Sequence, residues 1–229
     1  MSGMLYLVPN LLGVVPPDDV LPARTISIAR ALTHWIVETP KPARAFLKTL
    51  AHERAIADLA MQTFQAHTAI AWLNEGHDVG VLSDAGCPGI ADPGATIVAA
   101  AHREGIRVVP LVGPSSILLA LMASGMNGQQ FAFHGYLPVP ADERAQAIRR
   151  LEEDSRAVKR AQIFIETPYR NEAMIASLAQ SLRGGTNVLV ACDLTLPTET
   201  IERRTALAWK REDPARFGKR PAIYIVDAA

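Results

Sequence analysis

The sequence predicts an α/β protein built from two α/β domains, the first with a mainly parallel sheet and the second with a mixed sheet. In the first half, short aliphatic runs alternate with longer helical patterns, which is typical of βαβ units. In the second half, several late strands follow one another without intervening helices, which indicates a mixed sheet. The chain has 229 residues, 49% of them hydrophobic, which is ample for a buried core, and this length fits one large domain or two small ones. A boundary near residues 113–117 predicts domains 1–114 and 115–229.

Strands of the first domain are predicted from short aliphatic runs, and its helices from longer amphipathic patterns with glycine stops. Pro40 and Pro42 open a further helical stretch, since proline is favoured in the first turn of a helix. The predicted strands are 5–8, 35–38, 79–82 and a fully buried strand at 107–112, and the predicted helices are 25–32, a single alanine-rich helix at 55–74, and 95–103.

The second domain is predicted to contain five strands and two long helices, read by the same patterns. The later of the two helices ends at Gly184 and Gly185, which are favoured after a helix. The predicted strands are 131–135, 162–166, 188–191, 200–205 and 222–226, and the predicted helices are 142–154 and 171–182.

Composition excludes several classes of protein. Lys plus Arg and Asp plus Glu both number 23, so the formal net charge is zero and does not indicate a nucleic-acid partner. The two cysteines form no disulfide framework and the six histidines form no HExxH motif, so we expect no metal and a reducing, cytoplasmic location. The apolar run 108–126 is interrupted by Pro110 and Pro114, so we expect a buried strand, a turn and a buried helix, and no membrane contact.

Four loops at the carboxyl ends of predicted strands are candidate ligand sites, since ligands bind there in open α/β sheets. None has the dinucleotide pattern GxGxxG or the phosphate-binding pattern GxxxxGK[ST]. Residues 83–94 form an unusually long loop with three glycines and two prolines. Gly86, Gly89 and Gly94 allow positive φ and close backbone approach, and the two prolines stiffen the loop. Such a loop presents fixed backbone groups, which suits a neutral or zwitterionic ligand. The four loops are 9–13, 83–94, 112–116 and 166–170.

The loop sequences carry a specific resemblance. The run Ser83-Asp84-Ala85-Gly86, followed by Pro88-Gly89-Ile90 and Asp92-Pro93-Gly94, is similar to an SDAGxPGIxDPG segment. Further matches are Gly113-Pro114-Ser115, Gly135-Tyr136-Leu137-Pro138 (GFLP), Glu166-Thr167-Pro168-Tyr169-Arg170 (ESPHR) and Leu194-Thr195 (the end of RELT). In order along most of the chain, these resemble the tetrapyrrole methylase superfamily of S-adenosylmethionine-dependent methyltransferases, above all its ribosomal branch, which methylates ribose 2′-oxygens of ribosomal RNA.

This resemblance implies two α/β domains with S-adenosylmethionine in a cleft between them, a homodimer, and ribosomal RNA as a possible partner. It also implies contacts to the cofactor from the glycine-rich loop, from its neighbouring loops and from three positions in the second domain. The implied cofactor-binding residues are Leu12, Asp84, Gly86, Cys87, Ile90, Ser115, Ser116, Glu166, Cys192 and Ala222.

Two segments depart from the ribosomal pattern on the side where the acceptor is expected. Its ATPIGN segment appears as Pro9-Asn10-Leu11-Leu12-Gly13, and its AEDTR segment as Val37-Glu38-Thr39-Pro40-Lys41. Methyl transfer is an in-line displacement that depends mostly on positioning, and Glu38 or Lys41 could accept or steer the proton of a hydroxyl acceptor. Glu38 could instead be a solvated residue or a helix N-terminal charge before Pro40, and Glu166 could pair with Arg170.

Residues 203–220 hold seven basic and two acidic side chains, an excess of five positive charges, which indicates either an RNA phosphate-binding patch or a solvated loop. Together the patterns predict an S-adenosylmethionine-dependent methyltransferase that modifies a ribose 2′-oxygen of ribosomal RNA. Two alternatives stay open: a methyltransferase of a small molecule such as a tetrapyrrole, and a non-catalytic relative that only binds the cofactor.

Overall fold

The computed structural model describes residues 2–228, and the chain divides into two units, Met1–Ser115 and Ser116–Ala229. The first unit holds a five-stranded sheet in which every neighbouring pair is parallel. Its strands are β1 (Leu5–Leu7), β2 (His34–Val37), β3 (Ala60–Thr63), β4 (Val79–Leu82) and β5 (Val108–Pro110), in the order β3-β2-β4-β1-β5. Its helices are α1 (Ala23–Ala31), α2 (Pro40–Thr49), α3 (Ala66–Asn74) and α4 (Ala95–Arg103).

Strand β2 shows how this sheet is buried on both faces. Trp35 and Val37 belong to one apolar cluster, whereas Ile36, between them, belongs to another. Successive side chains of a strand point to opposite faces, so the two clusters lie on the two sides of the sheet. Polar loops are thereby confined to the ends of the strands, and the carboxyl ends of parallel strands all meet at one edge.

The prediction of a single helix over 55–74 is wrong. A 3₁₀ turn at Ile56–Asp58 and strand β3 occupy its first half, and helix α3 begins only at Ala66. Ala60 and Met61 favour helix locally, but parallel pairing with β2 overrides that preference. The expectation of a fully buried strand at 107–112 is also wrong, because β5 is an edge strand whose residues are partly or fully exposed.

The second unit holds a mixed sheet, as the sequence predicts. Strand β6 (Phe131–Tyr136) is parallel to β7 (Ala161–Glu166) and lies at one edge. The next strands pair antiparallel: β7 with β10 (Ala222–Asp227), β10 with β8 (Asn187–Cys192), and β8 with β9 (Thr200–Thr205). Strands β6, β7 and β8 therefore run in one direction and end at the same edge of the sheet.

Four α-helices complete the described part of the second unit, namely α5 (Ser116–Ser124), α6 (Ala141–Val158), α7 (Asn171–Ser181) and α8 (Ala206–Trp209). Stacked rings of Phe164 and Tyr224, 5.4 Å apart, lie at the centre of its core, and the Tyr224 hydroxyl donates to Asn171 Oδ1 at 2.8 Å. The expectation that α5 is buried holds only in part, because Leu118 and Met122 are exposed. Within residues 2–228, no helix is both long and apolar enough to cross a membrane.

Candidate functional site

Asn10 ties together two of the loops at the carboxyl edge of the first sheet. Its side chain is buried, and Nδ2 donates to the carbonyl oxygens of Ser83 and Asp84, both at 3.0 Å. The Asn10 backbone amide donates to Gly86 O at 2.8 Å, and Asn10 Oδ1 accepts from Leu11 N at 2.8 Å. The loop after β1 therefore fixes the path of the loop after β4.

Glycines allow these loops to turn and to approach each other. Gly86, Gly89 and Gly94 have φ of +67°, +79° and +138°, so each adopts backbone angles that side chains disfavour, as the sequence led us to expect. Gly113 serves close approach instead, because a Cβ there would lie 2.3 Å from Pro9 Cβ. A third loop, after β5, is thus packed directly on the first.

Three carboxylates face the loop cluster, by which we mean the loops 9–13, 83–94 and 112–116. Glu38 directly follows β2, and its Oε2 accepts from the backbone amide of Asp84 at 3.0 Å. Burial, and next the negative charge of Glu38, raise the pKa of Asp92 to about 6; the Ser83 hydroxyl acts in the opposite direction, and Asp84 adds to the rise. The site therefore concentrates negative charge, and a cation would relieve the mutual repulsion.

The other predicted contacts of the first unit lie around the same cluster. A Cβ on Gly86 would lie 3.5 Å from Leu12 Cδ2, so Leu12 flanks the turn. Cys87 Sγ contacts Pro114 O at 3.5 Å, which places the glycine-rich loop beside the residue preceding Ser115, and burial raises the pKa of the Cys87 thiol. Ile90 is 52% exposed, so its side chain is available to a ligand.

Glu166, Ala222 and Cys192 are brought together in one row across the second sheet. Ala222 of β10 pairs with Glu166 of β7 on one side and with Cys192 of β8 on the other. All three are buried, and burial raises the pKa of the Cys192 thiol to about 11. Glu166 accepts from Thr167 N at 2.7 Å and forms an ion pair with Arg170 at 3.0 Å, which is the pairing left open by the sequence.

Lys41 is exposed in the first turn of α2, and Ser115 and Ser116 are partly exposed at the start of α5. Asn10 and Asp92 are site residues that were not predicted from the sequence. Asp92 could have been found, since it lies inside the glycine-rich loop. The bonds of Asn10 depend on a loop 74 residues away, and a single sequence carries no signal for them.

Most of the arginines of the basic segment 203–220 are occupied. Arg204 and Arg216 both form ion pairs with Glu202 and Glu212, and Arg220 forms one with Asp193 at 2.6 Å. Arg203 donates to the carbonyls of Ser124 and Gly125. The counted excess of positive charge therefore does not form one free patch. Within the described part of the chain, no group of three or more His, Cys, Asp or Glu side chains is placed to hold a metal ion.

The two α/β units and the loop cluster at the carboxyl edge of the first, together with a family match over most of the chain, define a methyltransferase of the tetrapyrrole methylase class. Residues 21–208 match the family described as Tetrapyrrole (Corrin/Porphyrin) Methylases, so the chain belongs to this family. The fold is shared with the crystal structure of the methyltransferase CobJ, which has a TM-score of 0.64 and 18% identity and covers 100% of this chain and 95% of that one.

Two similar curated relatives carry the name Ribosomal RNA small subunit methyltransferase I. The protein from Escherichia coli O157:H7 is 31% identical over 220 residues, which cover 94% of this chain and 74% of the relative. The protein from Bacillus subtilis (strain 168) is 30% identical over 219 residues, which cover 93% and 72%. The predicted resemblance to the tetrapyrrole methylase superfamily and to its ribosomal branch is thus confirmed, and the chain is a methyltransferase.

Proposed function

We propose that this enzyme transfers a methyl group from S-adenosylmethionine to a ribose 2′-oxygen in the RNA of the small ribosomal subunit. The supporting observation is that this chain is about 30% identical, over almost all its length, to two methyltransferases named for that RNA. The same chain carries the loop cluster held together by Asn10. The curated names support the substrate, and the loop cluster supports the cofactor.

The charge of the loop cluster fits the proposed cofactor. S-adenosylmethionine carries a positive sulfonium and a positive ammonium group, and Glu38, Asp84 and Asp92 supply negative charge at one edge of the sheet. Fixed backbone at the turns of Gly86 and Gly89 leaves amides and carbonyls for the zwitterionic end and for the adenosine. When bound, the cofactor supplies an electrophilic methyl group on sulfur.

Leu12, Gly86, Cys87 and Ile90 would hold the cofactor in the first unit, since they surround one turn of the glycine-rich loop. Contacts from Ser115, Ser116, Glu166, Cys192 and Ala222 remain a prediction. The burial of Glu166, Cys192 and Ala222 favours contact through backbone atoms, because their side chains are already packed or paired.

Glu38 is the residue that we propose to assist proton removal from the acceptor hydroxyl. Its Oε2 is occupied by the Asp84 amide, whereas its Oε1 accepts no hydrogen bond from residues 2–228. The bond to Asp84 fixes the carboxylate, and the remaining oxygen is free to receive a proton. Lys41 is an exposed alternative and would act by steering charge.

Methyl transfer to two kinds of acceptor tests the proposal. Purified protein is incubated with labelled S-adenosylmethionine and either small ribosomal subunits or a small-molecule extract that contains tetrapyrroles. We expect label in ribosomal RNA. Label in the small-molecule fraction alone would favour the tetrapyrrole alternative, and binding of the cofactor without transfer to either fraction would favour a non-catalytic relative.

We also propose a homodimer and a cytoplasmic location, where ribosomal subunits are found. Leu118 and Met122 are four residues apart on α5 and are 52% and 80% exposed, so helix α5 presents apolar surface that a second copy could cover. Sedimentation at micromolar concentration should give twice the mass of the chain. A monomer would contradict this proposal without affecting the catalytic one.

A further inference from the structure

Two tyrosines at the carboxyl edge of the second sheet are exposed to solvent. Tyr136 ends β6 and is 60% exposed, and Tyr169, three residues beyond the end of β7, is 78% exposed. Neither ring belongs to the apolar core of the unit. Because β6 and β7 are parallel, with Tyr136 in register with Ile165, both tyrosines lie at the same edge.

Hydrogen bonds join the segments that carry these rings into one surface. Arg170 donates to Pro138 O at 3.3 Å, which links the loop after β7 to the loop after β6. Asn171 Nδ2 donates to Gly218 O at 3.2 Å and to Arg220 O at 2.7 Å. The segment 218–220 is therefore fixed beside the residues that follow Tyr169.

Lys219 adds a positive charge to this surface. Its Nζ lies 5.3 Å from the centre of the Tyr169 ring, and its side chain is exposed. Within residues 2–228, no carboxylate forms an ion pair with Lys219, whereas Arg204, Arg216 and Arg220 are all paired. We call Tyr136, Tyr169 and Lys219 the tyrosine surface.

Exposed aromatic rings beside an unpaired cation match the chemistry of single-stranded RNA. Unpaired bases stack on tyrosine rings, and a lysine contacts the backbone phosphates between them. Lys219 approaches one face of the Tyr169 ring, and the high exposure of this residue leaves the other face accessible to a base. Tyrosines are also common at protein interfaces, and it is the RNA acceptor of the proposed function that favours RNA here.

We propose that the tyrosine surface binds an unpaired segment of the substrate RNA, with bases stacked on Tyr136 and Tyr169 and a phosphate at Lys219. This inference rests on the proposed function, since it concerns how the RNA acceptor is recognised. It also shifts the expected RNA contact from the paired arginines of 203–216 to the edge of the sheet.

The test measures binding of a fluorescein-labelled, unstructured RNA 12-mer to the full-length protein by anisotropy at constant salt. Tyr136→Ala and Tyr169→Ala should each weaken binding about tenfold, since stacking contributes roughly 1 to 3 kcal/mol per base and tenfold corresponds to about 1.4 kcal/mol. Tyr136→Phe and Tyr169→Phe keep the rings and should bind within about twofold of wild type. Lys219→Gln should reduce the salt dependence by about one phosphate contact.

Phe131→Ala is the matched control, because Phe131 is an exposed aromatic residue at the opposite end of β6. It should leave RNA affinity unchanged. Unchanged affinity in both alanine variants, or no binding by the wild type, would overturn the tyrosine surface. If the alanine variants methylate ribosomal RNA at the wild-type rate, the tyrosine surface does not bind the substrate RNA, and the proposed function stands. If the tyrosines bind RNA but no ribosomal RNA is methylated, the proposed function is wrong instead.

Discussion

Replacing Asn10 with alanine should destabilise the protein and loosen the glycine-rich loop. The substitution removes two hydrogen bonds from Nδ2 and one to Oδ1, all at 2.8 to 3.0 Å. Each of the two part-buried bonds, to Asp84 O and from Leu11 N, contributes about 0.5 kcal/mol net because water can replace it, whereas a buried carbonyl left without a partner costs about 1 to 3 kcal/mol. Ser83 is almost fully buried, so its carbonyl is the group most affected.

We therefore expect Asn10→Ala to lower the free energy of unfolding by about 2 to 4 kcal/mol. For a chain of this size, such a loss lowers the Tm by roughly 5 to 15 °C, which differential scanning calorimetry measures directly. Affinity for S-adenosylmethionine, measured by titration calorimetry below the transition, should fall at least about tenfold because the loop is no longer held in one path.

Asn127→Ala is the control for this substitution. Asn127 also makes three hydrogen bonds, one to Lys159 O and two from backbone amides, but they lie at the surface, where water can replace them. This variant should cost about 1 kcal/mol or less and leave cofactor affinity unchanged. Equal losses of stability in the two variants, or an Asn10→Ala protein as stable as wild type, would refute the role assigned to Asn10.

Three further predictions concern the same loops. Gly113→Ala places a Cβ 2.3 Å from Pro9 Cβ and should cost about 1 to 3 kcal/mol by denaturation, whereas Gly128→Ala, with open space around it, should be nearly neutral. Because the pKa of Asp92 is raised to about 6, ionisation of this carboxyl destabilises the wild-type fold as pH rises from about 4 to 6. The urea midpoint of Asp92→Asn, relative to that of the wild type, should therefore increase across this pH range and stay constant above it. A difference between the two midpoints that does not change with pH would contradict the raised pKa. Glu38→Gln should lower kcat far more than it changes KM, and it should lower the pKa of Asp92 seen by NMR; an unchanged kcat would remove Glu38 from the chemistry.

Strands and helices whose own residues favour the structure they adopt could be predicted from the sequence. Strands 79–82 and 200–205 and the helix at 95–103 have the predicted bounds, because periodicity and glycine stops are local signals. Strand β3 could not be predicted, since Ala60 and Met61 favour helix and only pairing with β2 makes them a strand.

In the candidate site, too, features set by local sequence could be predicted, and features set by contacts between distant segments could not. Positive φ at Gly86, Gly89 and Gly94 was readable from the spacing of glycine and proline in one long loop. The bonds of Asn10 and the pairing of Arg204 and Arg216 with Glu202 depend on contacts between distant segments, which composition and spacing do not reveal. Counting charges along 203–220 therefore overstated the free positive charge.

Mapping the transferred methyl group tests the central claim most directly. Small ribosomal subunits from cells that lack this protein are incubated with the enzyme and methyl-labelled S-adenosylmethionine, and the RNA is then hydrolysed in alkali. A methylated 2′-oxygen blocks cleavage of the adjoining phosphodiester bond, so we expect the label in one alkali-resistant dinucleotide, with little label when Glu38→Gln replaces the wild type. Label released on single nucleotides, as a methylated base would give, or no label in RNA at all, would contradict ribose methylation of the small-subunit RNA.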